Sequence, residues 1–305
     1  MAICYFRDDF VDEAEAVVSV KTHALHYGTA VFEGIRSYGD GQRSFIFRPL
    51  EHYQRFLRNA ALLYMEPRWS AEELVGLTVE LLHRNRQYTG VYIRPLIYKS
   101  ETKVGAHIYP GEELTIFSTD WTPRPIPPPP QTATFSKWRR NSRASVPAGA
   151  KISGLYVNSA LSISESMQRG FDQTILLAVS GEVAEGYGAN LMAVFGNEVV
   201  TPPETADILA GITRETIMHY FRSRDDVTMT VASIAPDRLL TADEIFLCGT
   251  GLEVIPLVSV DGTPIGSGER GPLTEAAARW YRDAVTGKAD VPEGWRVEVA
   301  AVTVS

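Results

Sequence analysis

Ala150-Lys151-Ile152-Ser153-Gly154-Leu155-Tyr156-Val157-Asn158-Ser159 is the stretch on which the reading of this chain turns. Lys151 is one of six lysines in 305 residues, set among small and apolar neighbours, with a tyrosine five positions later. A lysine that enters an apolar setting away from carboxylates loses solvation, which favours the neutral amine. Its lone pair can then condense with an aldehyde. On these ten residues alone, a surface lysine ahead of a helix fits as well. What surrounds the stretch has to decide between the two.

Length and composition narrow the choice. A chain of 305 residues is long enough for two domains. The net charge of −8, with no basic run, argues against a nucleic-acid partner. Cys4 and Cys248 cannot build a disulfide framework, which fits a reducing cytoplasm. The N-terminus has acidic residues where a signal peptide needs basic and apolar ones, and no apolar run spans a bilayer. His23 and His26 share a helical spacing but lack a third ligand, so no metal site is expected.

Moving outward from Lys151, the run Trp121-Thr122-Pro123-Arg124-Pro125-Ile126-Pro127-Pro128-Pro129-Pro130 cannot be helix or central strand. It reads as a semi-rigid linker at 122–132, dividing a small domain at 1–121 from a larger one at 133–305. In the first, helices are expected at Leu50–Leu63 and Ala71–Arg86, a strand and turn at Val31–Tyr38, and strands at Gly90–Lys99 and Leu114–Thr119. In the second, helices are expected at Asn158–Arg169, Thr213–Arg222 and Leu273–Ala284. Strands are expected at Thr174–Val179, Val227–Ala232 and Glu244–Cys248. A hairpin pairs Leu191–Phe195 with Glu198–Thr201 about Gly196-Asn197. Pro256 limits Glu253–Val260 to an edge strand. The reading is α+β in both domains, with the crevice between them as the ligand site.

Three further segments bear on the lysine. Glu185 is flanked by small residues, so a ligand can approach it closely. Leu209-Ala210-Gly211-Ile212-Thr213-Arg214 leads into a helix whose N-terminus offers N–H groups and a hydroxyl to an anion. Phe246-Leu247-Cys248-Gly249-Thr250-Gly251 runs from a strand into a glycine turn, a second anion nest. Each has an ordinary structural reading: a surface carboxylate, an N-cap, a turn. Together they offer a lysine for an aldehyde, a carboxylate for a pyridinium nitrogen, and two nests for a phosphate and a carboxylate. That combination describes a pyridoxal phosphate site, with Tyr156 placed to hold the ring hydroxyl.

His23-Ala24-Leu25-His26-Tyr27-Gly28, Val31-Phe32-Glu33-Gly34-Ile35-Arg36, Glu51-His52-Tyr53-Gln54-Arg55 and Tyr92-Ile93-Arg94-Pro95 precede these segments. With these motifs the chain resembles, nearly end to end, the branched-chain amino-acid aminotransferases, class IV aminotransferases of fold type IV. The Lys151, Glu185, Gly211-Ile212-Thr213 and Gly249-Thr250 segments follow in the family's order. The resemblance implies a smaller N-terminal α/β domain, a larger domain with a barrel-like β core, and pyridoxal 5'-phosphate as cofactor. It implies Lys151 as the residue that bonds the cofactor and moves the proton, Glu185 on the ring nitrogen and Tyr156 on the ring oxygen. Leu209 would lie against the ring face. Arg55, Ile212, Thr213 and Thr250 would hold the phosphate, an arginine fork suiting it better than a lysine would. Tyr27, Phe32 and Gly34 would line the side-chain pocket, with Tyr92, Arg94, Thr250 and Gly251 at the substrate carboxylates. The reaction would be ping-pong, between an apolar L-amino acid and 2-oxoglutarate or glutamate. The implied assembly is a cytoplasmic homodimer, with the loop from Lys99 to Tyr109 reaching the neighbouring site.

The chain also departs from the family. Tyr187 and Ala189 stand where a small residue and a glutamate are usual, Gly251-Leu252 replaces two small residues, and the 99–105 loop and proline run are its own. These changes would reshape the pocket, so a specialised-metabolism transaminase acting on a non-standard amino acid or amine is one alternative. A D-amino-acid aminotransferase and an aminodeoxychorismate-lyase-like enzyme share the fold, but Tyr92-Ile93-Arg94 and Phe32-Glu33-Gly34 favour an L-selective transaminase. A non-catalytic pyridoxal phosphate-binding protein would be expected to have lost polar site residues, and none is missing. No glycine fingerprint of a nucleotide-binding dehydrogenase is present.

Overall fold

The computed structural model describes residues 2–40 and 42–301, the side chains of 300 and 301 excepted. In chain order the elements begin with β1 (Ile3–Phe6), β2 (Asp9–Asp12), α1 (His23–Tyr27), β3 (Ala30–Phe32), β4 (Ile35–Gly39) and β5 (Arg43–Phe47). The helices α2 (Pro49–Ala61) and α3 (Ala71–Asn85) and the strands β6 (Val91–Lys99) and β7 (Glu112–Asp120) follow. After the proline run come β8 (Gln131–Arg139), α4 (Tyr156–Gln168), β9 (Gln173–Leu177), β10 (Val183–Gly186), β11 (Asn190–Phe195) and β12 (Glu198–Thr201). Then come α5 (Ile212–Arg222), β13 (Thr228–Val231), α6 (Pro236–Leu239), β14 (Glu244–Gly249), β15 (Glu253–Val260) and β16 (Thr263–Pro264). The last are α7 (Pro272–Thr286) and β17 (Arg296–Ala301).

By its contacts the chain divides into two units. One runs to Pro123 and includes Lys151–Gly154 and the stretch from Asp283; the other comprises Arg124–Ala150 and Leu155–Arg282. The Lys151–Gly154 segment and the stretch from Asp283 to Ala301, which the sequence reading groups with the large domain, fall in the first unit.

The first unit is built on an antiparallel sheet in the order β17-β5-β4-β6-β7-β1-β2, with β3 also paired to β6. Its long central strand β6 alternates buried and half-buried residues at first, as a strand with one covered face does. The strand and turn expected at Val31–Tyr38 are two strands, separated at Glu33-Gly34. α2 starts on Pro49, whose missing N–H is harmless in the first turn, and buries His52, Tyr53, Arg55, Phe56, Asn59 and Ala60 along one stripe. α3 opens with a capping box: the Ser70 hydroxyl accepts from Glu73 N at 3.1 Å, and the Glu73 carboxylate accepts from Ser70 N at 2.7 Å.

In the second unit, strands β10-β9-β8-β15-β14-β11 form a barrel closed by the β10–β11 pairing, and β12 and β13 extend it. Closure leaves the six barrel strands without a free edge, with β13 at the edge of the extension, and the apolar cluster packed on them includes Ile175, Val183, Leu191, Ile245, Leu247 and Ile255. β15 corrects the expectation drawn from Pro256. It is an interior strand, antiparallel to β14 and parallel to β8. The ladder to β8 begins at Leu257, one residue beyond the proline, so the missing donor costs that ladder nothing. Among the described residues, no helix is long and apolar enough to cross a membrane.

Candidate active site

Lys151 is placed by its backbone. Gly154 N donates to Gly28 O at 3.0 Å, Ile152 bridges to Val31, and Phe32 N donates to Lys151 O at 3.1 Å. The strip is thereby laid along β3. Gly28 ends α1 at φ +65°, and a Cβ there would collide with the Gly154 backbone, so this approach needs glycine on both counts. Lys151 Nζ lies 4.8 Å from the centre of the Phe32 ring. Over the same ring sits the Arg94 guanidinium, at 4.5 Å, and Arg94 Nη2 donates to Tyr92 Oη at 2.6 Å. Phe32, Tyr92, Arg94 and Lys151 thus form one set in the first unit, and Gly34 lies under the Tyr92 phenol.

Behind Phe32, Glu33 is wholly buried. Its carboxylate accepts Arg55 Nε at 2.7 Å, Arg55 Nη2 at 2.8 Å and His52 Nδ1 at 2.8 Å. Burial opposes ionisation here, but the Arg55 guanidinium and His52 outweigh it and hold the carboxyl well below the usual carboxylate range. Burial pushes His52 down from the ordinary imidazole value, against the pull of Glu33. Arg55 therefore carries the positive charge of this trio. The sequence reading assigns no role to Glu33 or His52. The available signal is a glutamate inside an otherwise apolar motif, which demands a partner, with His52 and Arg55 one helical turn apart to supply it.

Tyr27 engages other residues. Its ring lies 4.6 Å from His23, and its hydroxyl accepts from Gly105 N at 2.9 Å, in the loop between β6 and β7. His23 is bonded to Thr29 and to the Gly105 carbonyl, a structural role for one of the two N-terminal histidines.

In the second unit the centre is Glu185, on β10 and 5% exposed. Arg140 Nη2 pairs with its Oε1 at 2.9 Å, Asn190 Nδ2 donates to Oε2 at 2.9 Å, and Leu209 N is shared between the two oxygens. Asn190 also donates to Leu209 O at 2.8 Å, and its Oδ1 fills the space a Cβ on Gly211 would need. Gly211 is the N-cap of α5, which no side chain caps. At that end the Thr213 and Thr250 hydroxyls lie 3.5 Å apart. Ile212 and Thr213 are buried there, while Leu209 and Tyr156, the first residue of α4, are half-buried. Gly251 follows Thr250 with open space where a Cβ would be. Leu252, whose bulk is expected from sequence to intrude on a pocket, is instead buried in the apolar cluster that packs the barrel strands, as is Ala189.

These groups suit pyridoxal phosphate. A helix N-terminus without a side-chain cap and two converging hydroxyls offer donors to a phosphate, and a buried carboxylate at the other end of the same strap is the partner a pyridinium nitrogen needs. Sequence reasoning misses Arg140 and Asn190. Arg140 follows a strand beside Arg139, and nothing in the local pattern separates a buried arginine from an exposed one.

Residues 30–260 match the family model described as Amino-transferase class IV. The chain is 38% identical to the probable branched-chain-amino-acid aminotransferase of Aquifex aeolicus, over 98% of this chain and 97% of that protein. The branched-chain amino acid aminotransferase of T.th., complexed with N-(5'-phosphopyridoxyl)-L-glutamate, superposes with a TM-score of 0.92 at 35% identity, covering 98% of this chain and 99% of that one. The branched-chain aminotransferase of the archaeon Thermoproteus uzoniensis, with norvaline, does so with a TM-score of 0.93 at 33% identity and the same coverage.

Proposed function

From the premise that the chain belongs to the branched-chain aminotransferase family of class IV aminotransferases, we propose that it transfers the amino group of an apolar L-amino acid, of the branched-chain type, to 2-oxoglutarate. The cofactor is pyridoxal 5'-phosphate, and the two half-reactions alternate on one site. When bound, the cofactor supplies an electron sink for the pair left at the substrate Cα.

The observation that carries the reading is the strap from Glu185 to Thr213, in which Asn190 ties a buried carboxylate to the N-terminal end of α5. The residues divide the work as follows. Lys151 would bond the cofactor and, once the substrate's amine has taken its place there, its freed Nζ would carry the proton from Cα. Glu185 accepts the ring N–H, Tyr156 holds the ring oxygen, and Leu209 packs on the ring face. Arg55, Ile212, Thr213 and Thr250 hold the phosphate. Phe32, Gly34 and Tyr27 shape the apolar side-chain site, and Tyr92, Arg94, Thr250 and Gly251 receive carboxylates. The ligands named for the two solved relatives, a glutamate adduct and norvaline, support a pocket that accepts both an acidic and an apolar side chain. A cytoplasmic homodimer is part of the same proposal.

Absorbance of the purified protein tests it. A visible band that changes on adding L-leucine or L-valine, returns with 2-oxoglutarate, and is absent from Lys151→Ala is the expected result. A band silent to those amino acids but responsive to D-amino acids or unusual amines would keep the cofactor and overturn the substrate. No band after adding pyridoxal phosphate would overturn the role of Lys151.

A further inference from the structure

Arg140 is 9% exposed and makes contacts with three separate segments of the second unit. Its Nη2 reaches the Glu185 carboxylate at 2.9 Å and the Ala148 carbonyl at 3.1 Å, and its Nε donates to the Asp207 carbonyl at 3.2 Å. Ala148 stands three residues before Lys151 in sequence, and Asp207 two before Leu209. The next turn reinforces the same strap: Arg143 N donates to the Asp207 carboxylate at 3.0 Å, and Arg143 Nη2 to Ile208 O at 3.3 Å. A guanidinium can serve three acceptors at once because its donors lie in a fixed planar fork; an ammonium on a flexible stem cannot hold that pattern.

We propose that Arg140 is a positioning residue for the reaction, fixing Glu185 in place and supplying the positive charge that sets how strongly the Glu185 carboxylate draws on the cofactor ring. The inference rests on the assignment of Glu185 to the ring nitrogen. Glu185 is the shared acceptor of Arg140, Asn190 and Leu209 N, so its orientation is fixed on both oxygens. Arg140, after β8, is ion-paired to it. The ionisable groups that feel its charge include Arg214 on α5 and Cys248 on β14. Arg214 Nε donates to the Thr201 hydroxyl and its Nη2 to the Pro202 carbonyl. Removing the Arg140 charge would leave the Glu185 carboxylate a stronger proton acceptor, so it would draw the ring N–H proton further toward itself and leave the ring less electron-withdrawing. The Lys151 nitrogen bonded to the cofactor would then be a stronger base, so the pH midpoint of the visible band rises.

The test compares the parent protein with Arg140→Gln and Arg140→Lys, each with and without Glu185→Gln, all loaded with pyridoxal phosphate. The readouts are the pH midpoint of the visible band, the cofactor dissociation constant, and the thermal midpoint of the apo form. In Arg140→Gln the band midpoint is expected to rise by about one pH unit, the scale on which a neighbouring charge acts, with cofactor binding weakened about tenfold. Arg140→Lys, which keeps the charge but not the fork, should shift it in the same direction by less than half as much. In the Glu185→Gln background, Arg140→Gln should add no further shift. A lower thermal midpoint with an unmoved band and unchanged cofactor binding would reduce Arg140 to a structural residue and overturn the proposal. So would an equal shift in the Glu185→Gln background. If Arg140→Gln does not fold, an unmoved band in Arg140→Lys overturns it. A parent protein that forms no band would overturn the cofactor reading itself, and this inference with it.

Discussion

The phenol oxygen of Tyr92 occupies the space that a Cβ at Gly34 would need. The two residues lie on either side of the Ile35–Ile93 pairing of β4 with β6. Because the clash falls mainly on the end of a half-buried side chain, Gly34→Ala is expected to swing the Tyr92 ring aside at a cost of about 1–3 kcal/mol in stability. The same movement breaks the Tyr92–Arg94 hydrogen bond. We therefore expect kcat/KM to fall at least about tenfold, roughly 1.4 kcal/mol, with the visible band retained. Adding Tyr92→Phe, which removes the clashing oxygen but cannot remake that hydrogen bond, should restore part of the stability and none of the activity. Kinetics equal to the parent's would remove Gly34 from the substrate pocket.

Glu33→Gln leaves the buried Arg55 without its counter-ion. Losing one partner of a buried pair costs about 3–5 kcal/mol, so the urea midpoint should drop accordingly. If Arg55 holds the phosphate, it should also hold it less well once it is no longer aimed by Glu33. Affinity for pyridoxal phosphate should then fall more than affinity for unphosphorylated pyridoxal. Equal losses for both ligands would separate Arg55 from the phosphate.

Acid should act on the same trio in two stages. His52 and Glu33 both take up protons at lower pH in the folded protein than in the unfolded chain. As pH falls, the unfolded chain binds protons first, and stability declines with it. The loss begins below about pH 6.5, where an unfolded histidine titrates, and deepens below about pH 4.3, where an unfolded glutamate does. The urea midpoint of the parent, measured from pH 8 to pH 4, should follow that course. His52→Gln should abolish the upper stage only. A parent curve flat between pH 7 and pH 5 would show that His52 is not buried as a neutral ring.

Cys248 lies fully buried on β14, and burial pushes its thiol up to about 12. Cys4 is also buried, and its thiol is raised chiefly for the same reason. Since the thiolate is the reactive form, neither should be alkylated in the native protein, and both should react once urea unfolds it. Rapid labelling of Cys248 in the folded protein would contradict its place in the barrel wall.

Helix positions were legible because they rest on local patterns. The Ser70-to-Glu73 capping box and the apolar stripe of α2 can be read without knowing what they pack against. Lys151, Glu185 and Thr213 could be picked out by the company they keep along the chain, and their order carried the family. Pro256 misled, because whether a missing donor matters depends on where the neighbouring ladder starts, and that is a property of β8.

The sequence by itself determined which chemistry is present: a lysine, a carboxylate, hydroxyls at a helix start, and an arginine, all on segments whose type follows from local propensity and periodicity. Only the tertiary structure decided how those groups are held. The ion pairs Arg55–Glu33 and Arg140–Glu185 join residues 22 and 45 positions apart. A buried charge must find its partner wherever the fold brings one, and no periodicity along the chain encodes that distance. For the same reason it was packing, not pattern, that drew Leu252 into the apolar cluster and made Gly211 give way to Asn190.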